Sequence, residues 1–164
     1  MFIDMMVPHH HSAIEMAQVA QTRAEHPEIK EMASQIIDDQ QKEIDQIKAW
    51  RQQWYGSSET PPMDQMPMLP GMTGMNHGGM KDMTQAVEQL RDTTEPFDRA
   101  FIYAMIEHHQ MAVEAGMMAQ QQAIHPELQK MGQQIVDQQK AEIDEMKSWR
   151  LEWFGSAEPE PTMP

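Results

Sequence analysis

The segment MMVPHHHSAIEMA, residues 5–17, sets His9, His10 and His11 beside methionines, and imidazole next to thioether is a metal-ligating combination. The pairing returns ninety-nine residues later in AMIEHHQMAVEAG, where His108 and His109 match His9 and His10, and Gln110 replaces His11. An affinity tag would not recur inside the chain, so the histidine run belongs to the protein. On a helix, side chains three and four residues apart share a face. Met6 precedes His9 by three and His10 by four, and Met105 stands in the same relation to His108 and His109. Each copy therefore offers two imidazoles and a thioether, all neutral when unprotonated. Such donors favour soft cations, Cu(I) and by the same softness Ag(I), over Mg(II), Ca(II) or Mn(II). A thioether also needs no deprotonation and forms no disulfide, which suits a compartment outside the reducing cytosol.

A plainer reading stands beside this one. His10 and His109 fall on apolar stripes, with Met6 and Ala13 or Met105 and Ala112. A single histidine so placed is usually a hydrogen-bonded structural residue, and duplication copies structural residues as faithfully as ligands. If each hairpin turns near residue 25 or its counterpart, position 10 lies level with Gln40 and Glu43, and position 109 with Gln139 and Glu142. Polar groups there could hold an imidazole tautomer, as the outer partners of metal-bound histidines do; ordinary solvated polarity explains them equally well. His26 and His125 stand about sixteen residues from the pairs, roughly 24 Å along a helix, and read as turn residues. Trp50, Trp54, Trp149 and Trp153 read as closing the ends of the helices. His11 and Glu15, one turn apart, offer a surface contact for a divalent ion such as Cu(II), or simply a solvated pair. Loop methionines with His77 could capture Cu(I) transiently, or belong to a plain linker.

The elements that position these residues form an internal repeat. Residues 2–56 align with 101–155 without a gap, with 26 identities in 55 positions. Shared landmarks include Phe2/Phe101, Glu15/Glu114, HPE at 26–28 and 125–127, EID at 43–45 and 142–144, and Gly56/Gly155. Each copy reads as a helical hairpin. Apolar or small residues at 3, 6, 7, 13, 14, 17 and 20, with His10 among them, trace a helical stripe. His26-Pro27 and His125-Pro126 break the chain, with proline suited to the first turn of the next helix. The second helix runs to about residue 54, with Ile29, Met32, Ile36, Ile44, Ile47 and Trp54 near one face, and Gly56 and Gly155 are stop signals. The predicted fold is all-α: one domain over residues 1–164, a four-helix bundle of two hairpins, 1–56 and 84–155, with a flexible tail at 156–164. Residues 57–83 hold four prolines, four glycines and seven methionines and are expected to be a loop. A short helix is expected at 82–92, and Pro96 is expected to start the third long one. The loop is long enough for a ferritin-like crossover, which is favoured over up-down-up-down order.

Composition narrows the function. Twelve basic against twenty-six acidic residues give a net charge of −14, which argues against a nucleic-acid partner. No apolar run reaches the length of a membrane span. Cysteine is absent, which rules out disulfides and thiolate metal sites, whereas methionine reaches nineteen residues. Some of these are adaptable core filler, but filler does not account for methionines in a loop. No secretory signal stands at Met1, yet the first copy lacks the EPFDRA that precedes the second. The chain is therefore expected to be processed or trimmed, from a precursor that could have carried a signal peptide.

Together MVPHH, MIEHH, the two HPE turns and the QQKEID and QQKAEID segments resemble a family of secreted bacterial proteins with a double-histidine motif. That family is one of ferritin-like four-helix bundles and includes a cyanobacterial copper metallochaperone. The resemblance spans both hairpins. It implies Cu(I) or Ag(I) held by consecutive histidines, which maps onto His9-His10 and His108-His109. It also implies a periplasmic or otherwise extracytoplasmic location, and a role in copper tolerance or delivery with a copper-efflux or copper-sensing protein as partner. The shorter start departs from the family and is expected to leave the first site looser, since its helix would lack opening turns.

Among rival functions, a carboxylate-bridged di-iron enzyme shares the bundle shape but needs Glu-x-x-His on two helices. That spacing is filled here by Met6-x-x-His9 and Met105-x-x-His108. A haem bundle lacks the C-x-x-C-H attachment motif, and nucleophilic catalysis has no candidate. A metal-free structural or partner-binding bundle remains the alternative to a copper-binding protein that is not an enzyme. Its metal ligands are expected to be Met6, His9, His10, Met105, His108 and His109.

Overall fold

The computed structural model describes residues 2–61 and 77–156, apart from the side chains of 77–82. All regular structure among these residues is helical, in the order α1 (Phe2–Arg23), α2 (Pro27–Tyr55), α3 (His77–Asp92), α4 (Phe97–Gln122) and α5 (Pro126–Phe154). The all-α class and the two repeated hairpins are as expected from the sequence. None of these helices is long and apolar enough to cross a membrane.

The chain divides into two compact units, with the boundary at Phe97. In the first, α1 packs against α2, and α3 lies along α1. Ile29, Ile36, Ile44 and Ile47 of α2 are fully buried, as are Met6, Ala13, Ala17 and Ala20 of α1. Full burial stabilises by about 1.5–3 kcal/mol for each large aliphatic side chain, so the apolar stripe holds the helix that carries the histidines. In the second unit, Phe101, Ile102 and Met105 of α4 and Ile135 and Met146 of α5 do the same.

Both hairpin turns follow from two residues. Pro27 and Pro126 occupy the first turn of their helices, where a missing N–H costs nothing. His26 and His125 are N-caps with extended backbone and no side-chain capping bond, so they are turn residues, as expected. Gly56 and Gly155 end α2 and α5 with φ of 77° and 81°. Their N–H groups donate to Gln52 O and Leu151 O, both at 3.0 Å. Only glycine takes this left-handed cap without strain from a Cβ.

Helix α3 starts at His77, earlier than the expected residue 82. Gly78 and Gly79 each cost about 1 kcal/mol in a helix interior, but they stand in the first turn, and burial of Met83, Val87 and Leu90 along one face secures the rest. The Arg23 guanidinium donates to the carbonyls of Leu90 (3.1 Å), Arg91 (2.7 Å) and Thr93 (3.0 Å), and lies 5.0 Å from the Phe97 ring centre. The end of α1 thus caps the end of α3. Most of the methionine-rich loop (62–76) and the tail (157–164) lie outside the described residues.

Candidate metal centre

Helix α1 presents Met6, His9 and His10 as buried side chains, with 0%, 1% and 0% of their surface exposed. Helix α4 does the same with Met105, His108 and His109, at 0%, 5% and 0%. The geometry of the two pairs is nearly identical. The His9 and His10 ring centres are 6.1 Å apart and inclined by 55°, and those of His108 and His109 are 6.5 Å apart and inclined by 58°.

His10 and His109 each have a carboxylate partner on the facing helix. His10 Nε2 donates to Glu43 Oε2 across α1 and α2, and His109 Nε2 donates to Glu142 Oε2 across α4 and α5. An ionised carboxylate only accepts hydrogen bonds, so the ring hydrogen sits on Nε2 and a neutral ring keeps a bare lone pair on Nδ1. Among the described residues, the buried Nδ1 atoms of His10 and His109 have no hydrogen-bond partner. Leaving a buried polar atom unsatisfied costs about 1–3 kcal/mol, and such an atom in a native core calls for an explanation. A metal ion would supply it, with the glutamate orienting the imidazole from behind, as in carboxylate–histidine–metal triads.

Level with His10 and His109, as anticipated, the facing helices bring Glu43 and Glu142 into contact with the rings. Gln138 Nε2 further positions Glu142 by donating to its Oε1 at 3.3 Å. Gln40 and Gln139 are buried one turn earlier, and their Oε1 atoms make no hydrogen bond among the described residues. Among the described residues, no three or more imidazole and carboxylate groups gather so as to hold a metal. The fully buried Met6 and Met105, one turn before each pair, could add thioether sulfur to a metal held there.

His11 is exposed, next in sequence to the buried pair. Its pKa lies below the usual histidine value, first through partial desolvation and then through the Lys48 charge, with Glu15 opposing and His10 adding to the shift. Trp50 stacks on Trp54 at 5.7 Å and Trp149 on Trp153 at 5.4 Å, near the ends of α2 and α5. The side chain of His77 is outside the described residues.

No curated protein matches this chain closely enough to count as a relative. Among solved structures, CopM in the Cu(II)-bound form is 41% identical, with 93% of this chain and 95% of that one covered and a TM-score of 0.76. CopM in the Cu(I)-bound form is 37% identical, with 94% and 96% covered and a TM-score of 0.76, and CopM has an Ag-bound form as well. A candidate secreted DUF305 protein from Streptomyces coelicolor shares the fold, with a TM-score of 0.77 at 21% identity and coverage of 96% and 93%. The family model for DUF305, a domain of unknown function, matches residues 1–150. With nearly the whole chain matched, this protein belongs to the DUF305 family.

Proposed function

We propose that this protein binds Cu(I), and Ag(I) in its place, at His9-His10 with Met6 and at His108-His109 with Met105. The observation that carries the reading is the pair of buried Nδ1 atoms, on His10 and His109, left without a hydrogen-bond partner while Nε2 is committed to glutamate. A purely structural histidine would keep the glutamate bond but would also satisfy its second nitrogen. Imidazole and thioether are soft, neutral donors, which suits a monovalent d10 ion better than a hard divalent one. The similarity to CopM, known in Cu(I)-, Cu(II)- and Ag-bound forms, supports the same metals here. Exposed His11 and Glu15 are candidates for a weaker Cu(II) contact.

In this role the protein is a carrier and not an enzyme. The copper is cargo, and the chain's part is to hold two imidazoles and a thioether together, fix their tautomers through Glu43 and Glu142, and keep water from the ion. It would act outside the cytoplasm, in the periplasm, as a metallochaperone or buffer in copper tolerance, exchanging copper with a copper-efflux or copper-sensing protein. The lack of cysteine and the use of thioether donors suit a compartment outside the reducing cytosol.

The test is anaerobic Cu(I) loading in competition with a Cu(I)-specific chelator. Two tightly held equivalents per chain are expected, one for each pair, with Mg(II) and Ca(II) lost on dialysis. Failure to retain Cu(I) against the chelator, or retention of iron with oxygen-dependent oxidation, would overturn it.

A further inference from the structure

We propose that Met83, on α3, is a thioether donor to the metal of the first histidine pair, in the place that Met111 fills beside the second. This rests on the reading of the pairs as soft-cation sites. The repeat supplies the first half of the case. Three residues after His108, on the same helix face, α4 carries Met111; three residues after His9, α1 carries Ser12. The first pair thus lacks the flanking methionine that its copy has.

The structure returns a sulfur to that position from another helix. The Met83 sulfur lies 3.7 Å from Ser12 Oγ, and the same hydroxyl donates to the His9 carbonyl at 2.9 Å. Met83 is buried, with 6% of its surface exposed, so its thioether is turned toward Ser12 of α1, one turn from His9, and away from solvent. The serine is small enough to leave room for it.

The placement is held from the middle and the C-terminal end of α3. Val87 and Leu90, one and two turns beyond Met83, are buried on the same face. Arg23 grips the last turn through three carbonyls. An unanchored helix would not present one sulfur reproducibly to one position on α1. Each pair would then lie between a methionine three residues before its first histidine (Met6 or Met105) and a second thioether one turn after it (Met83 or Met111). Two imidazoles with two thioethers complete a four-donor neutral shell suited to a soft monovalent ion.

The test uses the full chain with 13C-labelled methionine ε-methyl groups and 15N-labelled histidine, titrated with Ag(I), which is diamagnetic and redox-inert under these conditions. The Met83 and Met6 methyl resonances are expected to shift together with the His10 ring nitrogens, and Met111 with Met105 and His109. Movement of the histidine and Met6 signals while Met83 stays fixed would overturn the proposal and leave the histidine sites standing. If no histidine or methionine of the pairs responds, the reading of the pairs falls first and this one with it. Independently, Met83→Leu keeps the apolar volume and should weaken Ag(I) binding at one of two sites by at least about tenfold. Met111→Leu should do so at the other. Unchanged affinity in a Met83→Leu protein that melts like the parent would also overturn it.

Discussion

Glu43 and Glu142 determine which nitrogen each core histidine keeps free. Glutamine at either position could donate through its amide as well as accept through its oxygen, so the tautomer would no longer be fixed. The Glu43→Gln, Glu142→Gln double variant should keep its fold and lose about 10–100-fold in Cu(I) affinity, measured against a competing chelator. Equal affinity would show that the carboxylates do not orient the ligands. Much of this was legible in the sequence. Spacing placed Met6, His9 and His10 on neighbouring positions of one helix, and hairpin geometry placed Glu43 level with His10. It placed Gln40 there as well, since residues three apart share a face. Which of the two reaches the ring depends on helix rotation and side-chain length, neither of which spacing resolves. Met83 was hidden for another reason: its neighbour Ser12 is 71 residues away, and no repeat register relates α3 to either hairpin.

At the scale of elements, the copies differ where their helices have different work to do. Gly116 and Gly132 stand where the first hairpin has Ala17 and Ala33. A Cβ on Gly132 would lie 2.6 Å from Gly116 O, and one on Gly116 would lie 2.8 Å from Gly132 O. Helices α4 and α5 therefore meet backbone to backbone at this point. Helix propensity alone favours alanine over glycine by about 1 kcal/mol, but here the clash wins. Gly132→Ala should destabilise the protein by roughly 1–3 kcal/mol in denaturant unfolding, as overpacking does; a gain in stability would contradict the close approach. Pro8 presents the opposite case. It lies inside α1, where Glu107 occupies the matching position of α4, and it removes the N–H that would bond to the Asp4 carbonyl. Pro8→Ala should raise stability by about 1–3 kcal/mol, seen as a higher melting temperature, and a lowered one would mean that the proline ring is needed for packing. Hairpin boundaries were legible because Pro27, Pro126, Gly56 and Gly155 act locally. The early start of α3 was not, because Gly78 and Gly79 read as breakers, while the burial that stabilises the helix comes from contact with α1.

For the whole molecule, two similar hairpins each carry a histidine pair within an acidic chain of net charge −14, and such a surface gathers cations at long range. Residues 62–76, rich in methionine, are expected to speed capture without setting the final affinity. Their deletion should slow Cu(I) uptake several-fold in stopped-flow mixing and leave equilibrium loading unchanged. Metal that binds only the folded state stabilises it, by about 2.7 kcal/mol at a free concentration one hundred times Kd. The central claim is that His10 and His109 are ligands and not core filler, and the His10→Leu, His109→Leu double variant tests it most directly. Leucine suits the apolar stripe, and Glu43 and Glu142 retain some access to water, 17% and 14% exposed at the side chain, so the variant should fold with a change of about 1–3 kcal/mol or less. Under anaerobic loading against a chelator it should retain no Cu(I), and added Cu(I) should no longer raise its melting temperature. An unchanged stoichiometry of two Cu(I) per chain in that variant would contradict the assignment of the histidine pairs as the metal sites.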